Sequence, residues 1–152
     1  SEEVQYAEFY LYLQKQRYQD RIDYHISMEP GLERVRIPRL TIEPIVENSV
    51  LHGMEGDIER VCVELAITKE EKCLKIRIAD NGRGFDTKQL DLSGGEVSLE
   101  GTREKVGLKN THNRLTLLYG EAYGLRIHSA PGEGTVVEIV IPLDRKGESD
   151  EV

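Results

Sequence analysis

Asn48 and His52 stand one helical turn apart in EPIVENSVLHG, residues 43–53. Ile42, Ile45, Val46, Ser49 and Val50 recur there at i, i+3, i+4, i+7 and i+8, which predicts a helix with one core face and these two polar residues on its flank. By themselves an amide and an imidazole so placed read as a capped or solvent-facing polar flank. The stretch DNGRGF, residues 80–85, carries Asp80 at the carboxyl end of an apolar run, and its two glycines let the backbone turn and come close to a ligand. In GTREKVGLKN, residues 101–110, a glycine-bearing segment runs into a helix start, where free N–H groups and the helix dipole favour phosphate. A fourth stretch, GEGT at 132–135, precedes the last apolar run. Each has an ordinary reading as a turn or a cap; what sets them apart is that all four occur in one order along the chain.

The elements that must position them follow from periodicity. Residues 2–18 place Val4, Ala7, Leu11 and Tyr18 near helical spacing, with Glu2 and Glu3 early and Lys15 and Arg17 late, which predicts a packed helix. Residues 21–28 alternate as a strand, with His25 as a surface or edge residue, and Pro30-Gly31 ends it. The Asn48 helix is expected to open at Pro38 or Thr41 and to close at Gly53, with Pro44 in its first turn or at a kink. Strands are predicted over 60–68 and 73–80, joined by a turn at 69–72. A long segment poor in large apolar residues follows, and a loop of that length in a small domain reads as a functional lid, here 86–104. A helix is expected to resume at Val106 with Leu108, Thr111, Leu115 and Leu118 on one side and Gly120 as its stop, before two closing strands separated by residues 131–134. The charged residues 144–152 read as an unfolded tail. The order of elements predicts an α/β sandwich, a mixed sheet with helices on one face.

Composition sets bounds. The chain has 152 residues, enough for one core, and its 20 Lys+Arg against 28 Asp+Glu give a net charge of −8, which argues against nucleic acid as a partner. No run reaches the roughly 18 apolar residues of a membrane span, and the first residues lack the pattern of an export signal. Cys62 and Cys73 fall several positions out of register if their strands pair, so two reduced thiols in a cytoplasmic compartment are expected.

EPIVENSVLHG, ADNGRGF, VGLKNTHNRL and PGEGT resemble the N box, G1 box, G2 box and late Gly-Thr motif of the GHKL nucleotide-binding superfamily, which includes gyrase, MutL and the sensor histidine kinases. With IPRL upstream, the phrases PIVENSVLHG and GLKNTHNRL are most similar to sensor histidine kinases of the LytS/YesM type. The resemblance covers about residues 36–142 and implies the Bergerat-type two-layer α/β sandwich, with ATP between the N-box helix and the lid. It assigns Asn48 as a Mg2+ ligand and Asp80 as acceptor of the adenine amino group, supported by Thr135. Gly82 and Gly84 would make room for base and ribose above Phe85. Gly107, with the N–H groups of Leu108 and Lys109 and with Asn110, would cradle phosphates, while Asn48, Glu47 and His52 form the catalytic end.

The implied function is that of the ATP-binding catalytic domain of a two-component sensor histidine kinase, using ATP and Mg2+. Residues 1–20 would be a linker from a dimerisation region that carries the phosphoacceptor histidine in an Asn-Pro-His-Phe motif, residues 21–143 the catalytic domain. A response regulator and a membrane-anchored homodimer in the bacterial cell membrane are the implied partners. Three positions depart from the family pattern. Leu51 replaces a lysine that many relatives carry, Lys105 replaces the first glycine of the G2 box, and Pro44 stands where some ATPases of the superfamily have a general base. Lys105 or Arg103 is a candidate replacement cation, and Glu47 is the nearest carboxylate. Phosphoryl transfer to a protein, rather than fast hydrolysis, is therefore expected. The alternatives are a nucleotide-binding regulatory module with degenerate catalysis and a serine kinase of the anti-sigma type.

Overall fold

Alternation of buried and outward-facing residues decides the sheet. In β2 (Val61–Glu70) Val61, Val63, Leu65 and Ile67 are buried; in β3 (Cys73–Asp80) it is Leu74, Ile76 and Ile78; in β5 (Thr135–Pro142) it is Thr135, Val137, Ile139 and Ile141. The pairing register aligns these rows, with Leu65 opposite Ile78 opposite Val137 and Ile67 opposite Ile76 opposite Ile139. A slip of one residue would turn every one of these side chains outward. β1 (Ile22–Met28) lies parallel to β2 at one edge and β4 (Gly124–Ser129) antiparallel to β5 at the other, giving the order β1-β2-β3-β5-β4. The computed structural model describes residues 2–55, 58–89 and 103–143. The predicted tail at 144–152 lies outside the described residues, as do 90–102 of the predicted lid. Among the described residues, no helix is long and apolar enough to cross a membrane.

Three helices pack on the apolar side of this mixed sheet, as the sequence predicts: α1 (Glu2–Tyr18), α2 (Glu43–Glu55) and α3 (Arg103–Tyr119). Val4, Ala7 and Leu11 of α1 belong to the same apolar core as Ile42, Val46 and Val50. At the other end of α1, Lys15 Nζ donates to the Ile22 carbonyl at 2.8 Å and to Asp23 Oδ1 at 2.9 Å, tying the helix to β1.

Several boundaries differ from the sequence reading. α2 opens at Glu43, not at Pro38 or Thr41, and among the described residues the Thr41 hydroxyl has no hydrogen-bond partner. A carboxylate from α1, that of Glu3, covers the start of α2 instead. Gly53 does not stop α2, which continues to Glu55; its missing side chain lets the helix lie against β2, since a Cβ there would stand 2.7 and 2.8 Å from the two methyl carbons of Val61. β2 extends to Glu70, so the hairpin turn is only Glu71 and Lys72, with Glu71 at φ 56. Helix α3 starts at Arg103, three residues before the expected Val106, so the last two positions of the predicted lid are helical. Gly120 does end it, at φ 108, with its N–H donating to the Thr116 carbonyl at 2.8 Å. The two cysteines are free: Cys73 pairs with Glu70 at the turn, while Cys62 lies at the far end of β2.

The Gly53 contact yields a test. Alanine in a helix interior ordinarily adds up to about 1 kcal/mol of stability over glycine. Here the stiff Val61 side chain must give way, and overpacking costs about 1 to 3 kcal/mol. Gly53→Ala is therefore expected to lower stability by about 1 to 2 kcal/mol in denaturant unfolding, and Val61→Ala combined with it should recover part of the loss.

Candidate functional site

The site forms where the carboxyl end of β3 meets the flank of α2. Asp80 closes β3, and its Oδ1 accepts the Gly82 N–H at 2.8 Å, which turns the chain sharply after the strand. The Ser49 hydroxyl and the Thr135 N–H also donate to this carboxylate, and His52 lies near it. Burial pushes the Asp80 carboxyl above its ordinary value of 3.8, while these donors and His52 pull it back. Asn81 prolongs the ladder: its Oδ1 accepts the Cys62 N–H at 2.7 Å and its Nδ2 donates to the Arg60 carbonyl at 2.9 Å, fixing the turn to the start of β2.

The glycines here are demanded by close approach. Gly84, at φ 67, would place a Cβ 2.1 Å from the Ala130 carbonyl, and Gly134, at φ 77, would place one 2.3 Å from the Asp80 carbonyl. The DNGRGF loop and the GEGT turn are thus interlocked backbone to backbone. Ser129 completes the joint. Its Oγ accepts the Phe85 N–H at 2.9 Å, donates to the Gly134 carbonyl at 2.9 Å and lies 2.8 Å from Thr135 Oγ1. Phe85 is buried below.

Asn48 reaches the other side. A Cβ on Gly107 of α3 would stand 3.3 Å from Asn48 Nδ2, so α3 passes the N-box amide closely. At about 100° per residue, Asn48, His52 and Ser49 share one flank of α2 while Glu47 faces away. The partners of Glu47 agree with that placement. Its carboxyl is pushed up by burial and by the neighbouring charge of Glu43, and it hydrogen-bonds with Tyr6 of α1. Among the candidate catalytic residues, Glu47 is therefore the one that the structure does not bring to the site. Arg83 Nη2 lies 3.5 Å from His52 Nδ1, which is also 3.5 Å from Glu55 Oε1.

The expectation that the N–H groups of Leu108 and Lys109 are open to phosphate meets a geometric obstacle. With α3 starting at Arg103, both lie beyond its first four residues, inside the helical hydrogen-bond ladder. Leu108 and Lys109 are buried, and Asn110 is exposed. Sequence reasoning missed Ser49, Ser129 and Arg83. A small hydroxyl in the middle of an otherwise apolar face was the signal available for Ser49; Ser129 gave none.

Residues 34–145 match the family of histidine kinase-, DNA gyrase B- and HSP90-like ATPases. The chain belongs to that family. Its relatives within this ATPase family include the sensor histidine kinase YesM of Bacillus subtilis, 31% identical over 93% of this chain and 23% of that protein. The sensor protein LytS of Streptococcus mutans is 32% identical over 99% of this chain and 25% of its own length, and the sensor kinase HptS of Staphylococcus aureus 29% identical over 95% and 28%. The chain thus spans about a quarter of these relatives. Among solved structures, the nucleotide-free catalytic domain of the histidine kinase ThkA superposes with a TM-score of 0.64, covering 91% of this chain and 93% of that one at 15% identity. The histidine kinase domain of a blue-light-activated kinase from Erythrobacter litoralis gives a TM-score of 0.63 at 19% identity, covering 91% and 59%. These structures share the fold, and the family match agrees with the resemblance seen in the four boxes.

Two measurements on Asp80→Asn follow from its surroundings. If the carboxylate accepts the adenine amino group, the variant loses about 1.5 to 3 kcal/mol of ATP affinity by calorimetry. The same carboxyl has a folded-state pKa above its unfolded one, so the folded state holds the proton more tightly. Its contribution to stability is fullest below the unfolded value of 3.8 and declines as pH rises through the raised folded value. Thermal melts against pH should show that decline in the native chain, and the difference between native and variant curves should change across that window and be flat above it.

Proposed function

We propose that this chain is the ATP-binding catalytic part of a two-component sensor histidine kinase, and that it passes the γ-phosphoryl group of ATP to a histidine outside residues 1–152. The observation that carries the reading is Asp80: a half-buried carboxylate kept available at a strand end by three donors, within reach of the α2 flank that bears Asn48 and His52. A carboxylate so held is a fitting acceptor for an exocyclic amino group. Thr135 fixes it through the backbone, while the space left by Gly84 is filled by the Ala130 and Gly134 carbonyls and not by a base, so Gly84 shapes the loop that would underlie a purine.

Asn48, close to Gly107, is the residue that would hold Mg2+. No group of three or more His, Cys, Asp and Glu side chains among the described residues forms a protein cage. One amide oxygen, phosphate oxygens and water are a donor set that suits Mg2+. When bound, the ion would neutralise charge on the phosphates. The rest belongs to the chain's own residues: Asn48 orients, His52 and Arg83 supply donors and positive charge along the same edge, and Gly107 leaves the space. Pro44 excludes a base one turn before Asn48, and Glu47 is engaged by Tyr6 and Glu43. Neither of these two α2 positions is thus able to activate water beside Asn48, which favours transfer to a protein acceptor over hydrolysis.

The four histidines of the chain are poor acceptors. His25 and His128 are exposed on β1 and β4, and His112 Nδ1 already accepts the Leu125 N–H at 3.0 Å. His52 is fixed to α2 between Arg83 and Glu55. Transfer requires in-line approach of the attacking nitrogen, and much of the rate arises from that positioning. A dimerisation region with the acceptor histidine, a response regulator and a membrane-anchored homodimer complete the proposal.

Incubation with labelled ATP tests it. The chain of residues 1–152 should bind Mg-ATP, lose most of that affinity in EDTA and take up no label. A longer chain with the preceding helices should form an acid-labile, base-stable phosphohistidine outside these residues. Strong labelling of His52 or His112 would overturn the assignment. Nucleotide binding without labelling of either chain would favour the regulatory module, for which exposed Leu51 in place of a lysine is the motivating observation.

A further inference from the structure

The start of α2 is held by parts of the chain remote in sequence. Pro44 supplies no N–H, and Ile42 acts as the cap residue, its carbonyl accepting the N–H groups of Ile45 at 3.1 Å and Val46 at 3.0 Å. The donors left over belong to residues 40–43, and one side chain takes all of them. Glu3 of α1, only 7% exposed, accepts the Leu40 N–H at Oε2 (3.2 Å) and those of Thr41 (3.1 Å), Ile42 (2.9 Å) and Glu43 (3.4 Å) at Oε1. A carboxylate at a helix N-terminus also gains from the dipole.

Leu40 sits in the left-handed region at φ 60, unfavourable for a side chain with a Cβ. Its N–H is bound to Glu3 and its carbonyl to the Arg114 guanidinium of α3. This one strained residue therefore bridges α1 to the helix that carries Gly107. One turn along α1 from Glu3, the Tyr6 hydroxyl faces the carboxyl groups of Glu43 and Glu47, and Tyr10 lies near Glu47. The first two turns of α2 are gripped from α1 right up to the residue before Asn48.

We infer that Glu3 is a positioning residue for the nucleotide site: through the cap on α2 and the Leu40–Arg114 bridge, α1 sets where Asn48 stands relative to Gly107. The inference rests on the proposed assignment of Asn48 to the metal and phosphate end of an ATP site. Asp80, on β3, is held at the sheet end by the Gly82 and Thr135 N–H groups, and only its Ser49 donor belongs to α2, so it depends far less on this grip. Withdrawal of α1 would leave uncapped donors at the start of α2 and release Leu40 from its strained conformation. The metal end of the site would then loosen while the adenine end remained.

The split between the two ends gives the test. Calorimetry on residues 1–152 would compare Mg-ATP affinity with nucleotide affinity in EDTA, for the native chain, Glu3→Gln and Glu3→Ala, with amide exchange at Thr41 and Ile42 followed alongside. Glu3→Ala should weaken Mg-ATP binding about tenfold, the scale of a lost N-cap, and change the affinity in EDTA less than about twofold. Glu3→Gln should fall between, because its amide keeps one acceptor oxygen, and both variants should speed exchange at Thr41 and Ile42. An unchanged Mg-ATP affinity despite faster exchange would overturn the inference, as would an equal loss with and without metal, which is the mark of a purely structural role. Should the Glu3 variants not fold, Tyr6→Phe keeps the ring and removes the hydroxyl from Glu43 and Glu47. The same metal-dependent loss, about threefold, is then expected, and no loss would overturn the inference. A native chain that binds no nucleotide would instead sink the ATP-site reading itself, a result distinct from any of these.

Discussion

A carboxylate that must remain chargeable while half-buried is the constraint around which the rest of the molecule is arranged. Taking Asp80 out of water favours its neutral form, and the protein offsets this with donors drawn from three places: the Gly82 N–H just beyond the strand, the Ser49 hydroxyl on α2 and the Thr135 N–H on the neighbouring strand. Each donor fixes an element. The turn after β3 has to be tight, α2 has to bring a small hydroxyl to the sheet end, and β5 has to pair in the register that sets Thr135 opposite Asp80.

That register leaves little room, and the glycines follow from it. Gly134 lies against the Asp80 carbonyl and Gly84 against the Ala130 carbonyl, so two loops from distant parts of the sequence pack backbone on backbone. Ser129 satisfies the polar groups that this contact would otherwise strand. The site is thereby built from rigid strand ends and a helix flank.

The N-terminal helix is the less expected participant. Its apolar residues join the domain core, and its Glu3 carboxylate takes the donors at the start of the N-box helix. A helix that reads in sequence as a linker is, in three dimensions, packed behind the proposed nucleotide site. The same geometry explains why Glu47, beside Asn48 in sequence, does not join Asn48 in the site: one step along a helix turns the side chain by about 100°, here towards α1.

The sequence by itself determined the element types, the family and most of the core faces; Leu118, expected beside Leu115 on the buried side of α3, is 50% exposed. Alternation of period two, helical spacing and four short motifs are local signals that need no partner to be read. The strands at 73–80 and around 61–70, the buried Ile45, Val46, Ser49 and Val50, and the stop at Gly120 were legible for that reason. The start of α2 was not. Thr41 has the chemistry of a local cap, yet a carboxylate 39 residues away from Ile42 performs that task, and nothing in the local sequence records such a contact. Gly53 reads as a stop because glycine is a poor helix former, whereas its place inside α2 is set by how closely that helix approaches Val61. Which polar side chains gather around Asp80 and its loop, Ser49 and Ser129 but not Glu47, was likewise decided only in the folded chain. Hydrogen-bond partners and close approaches depend on segments far apart in sequence, and only packing brings them together.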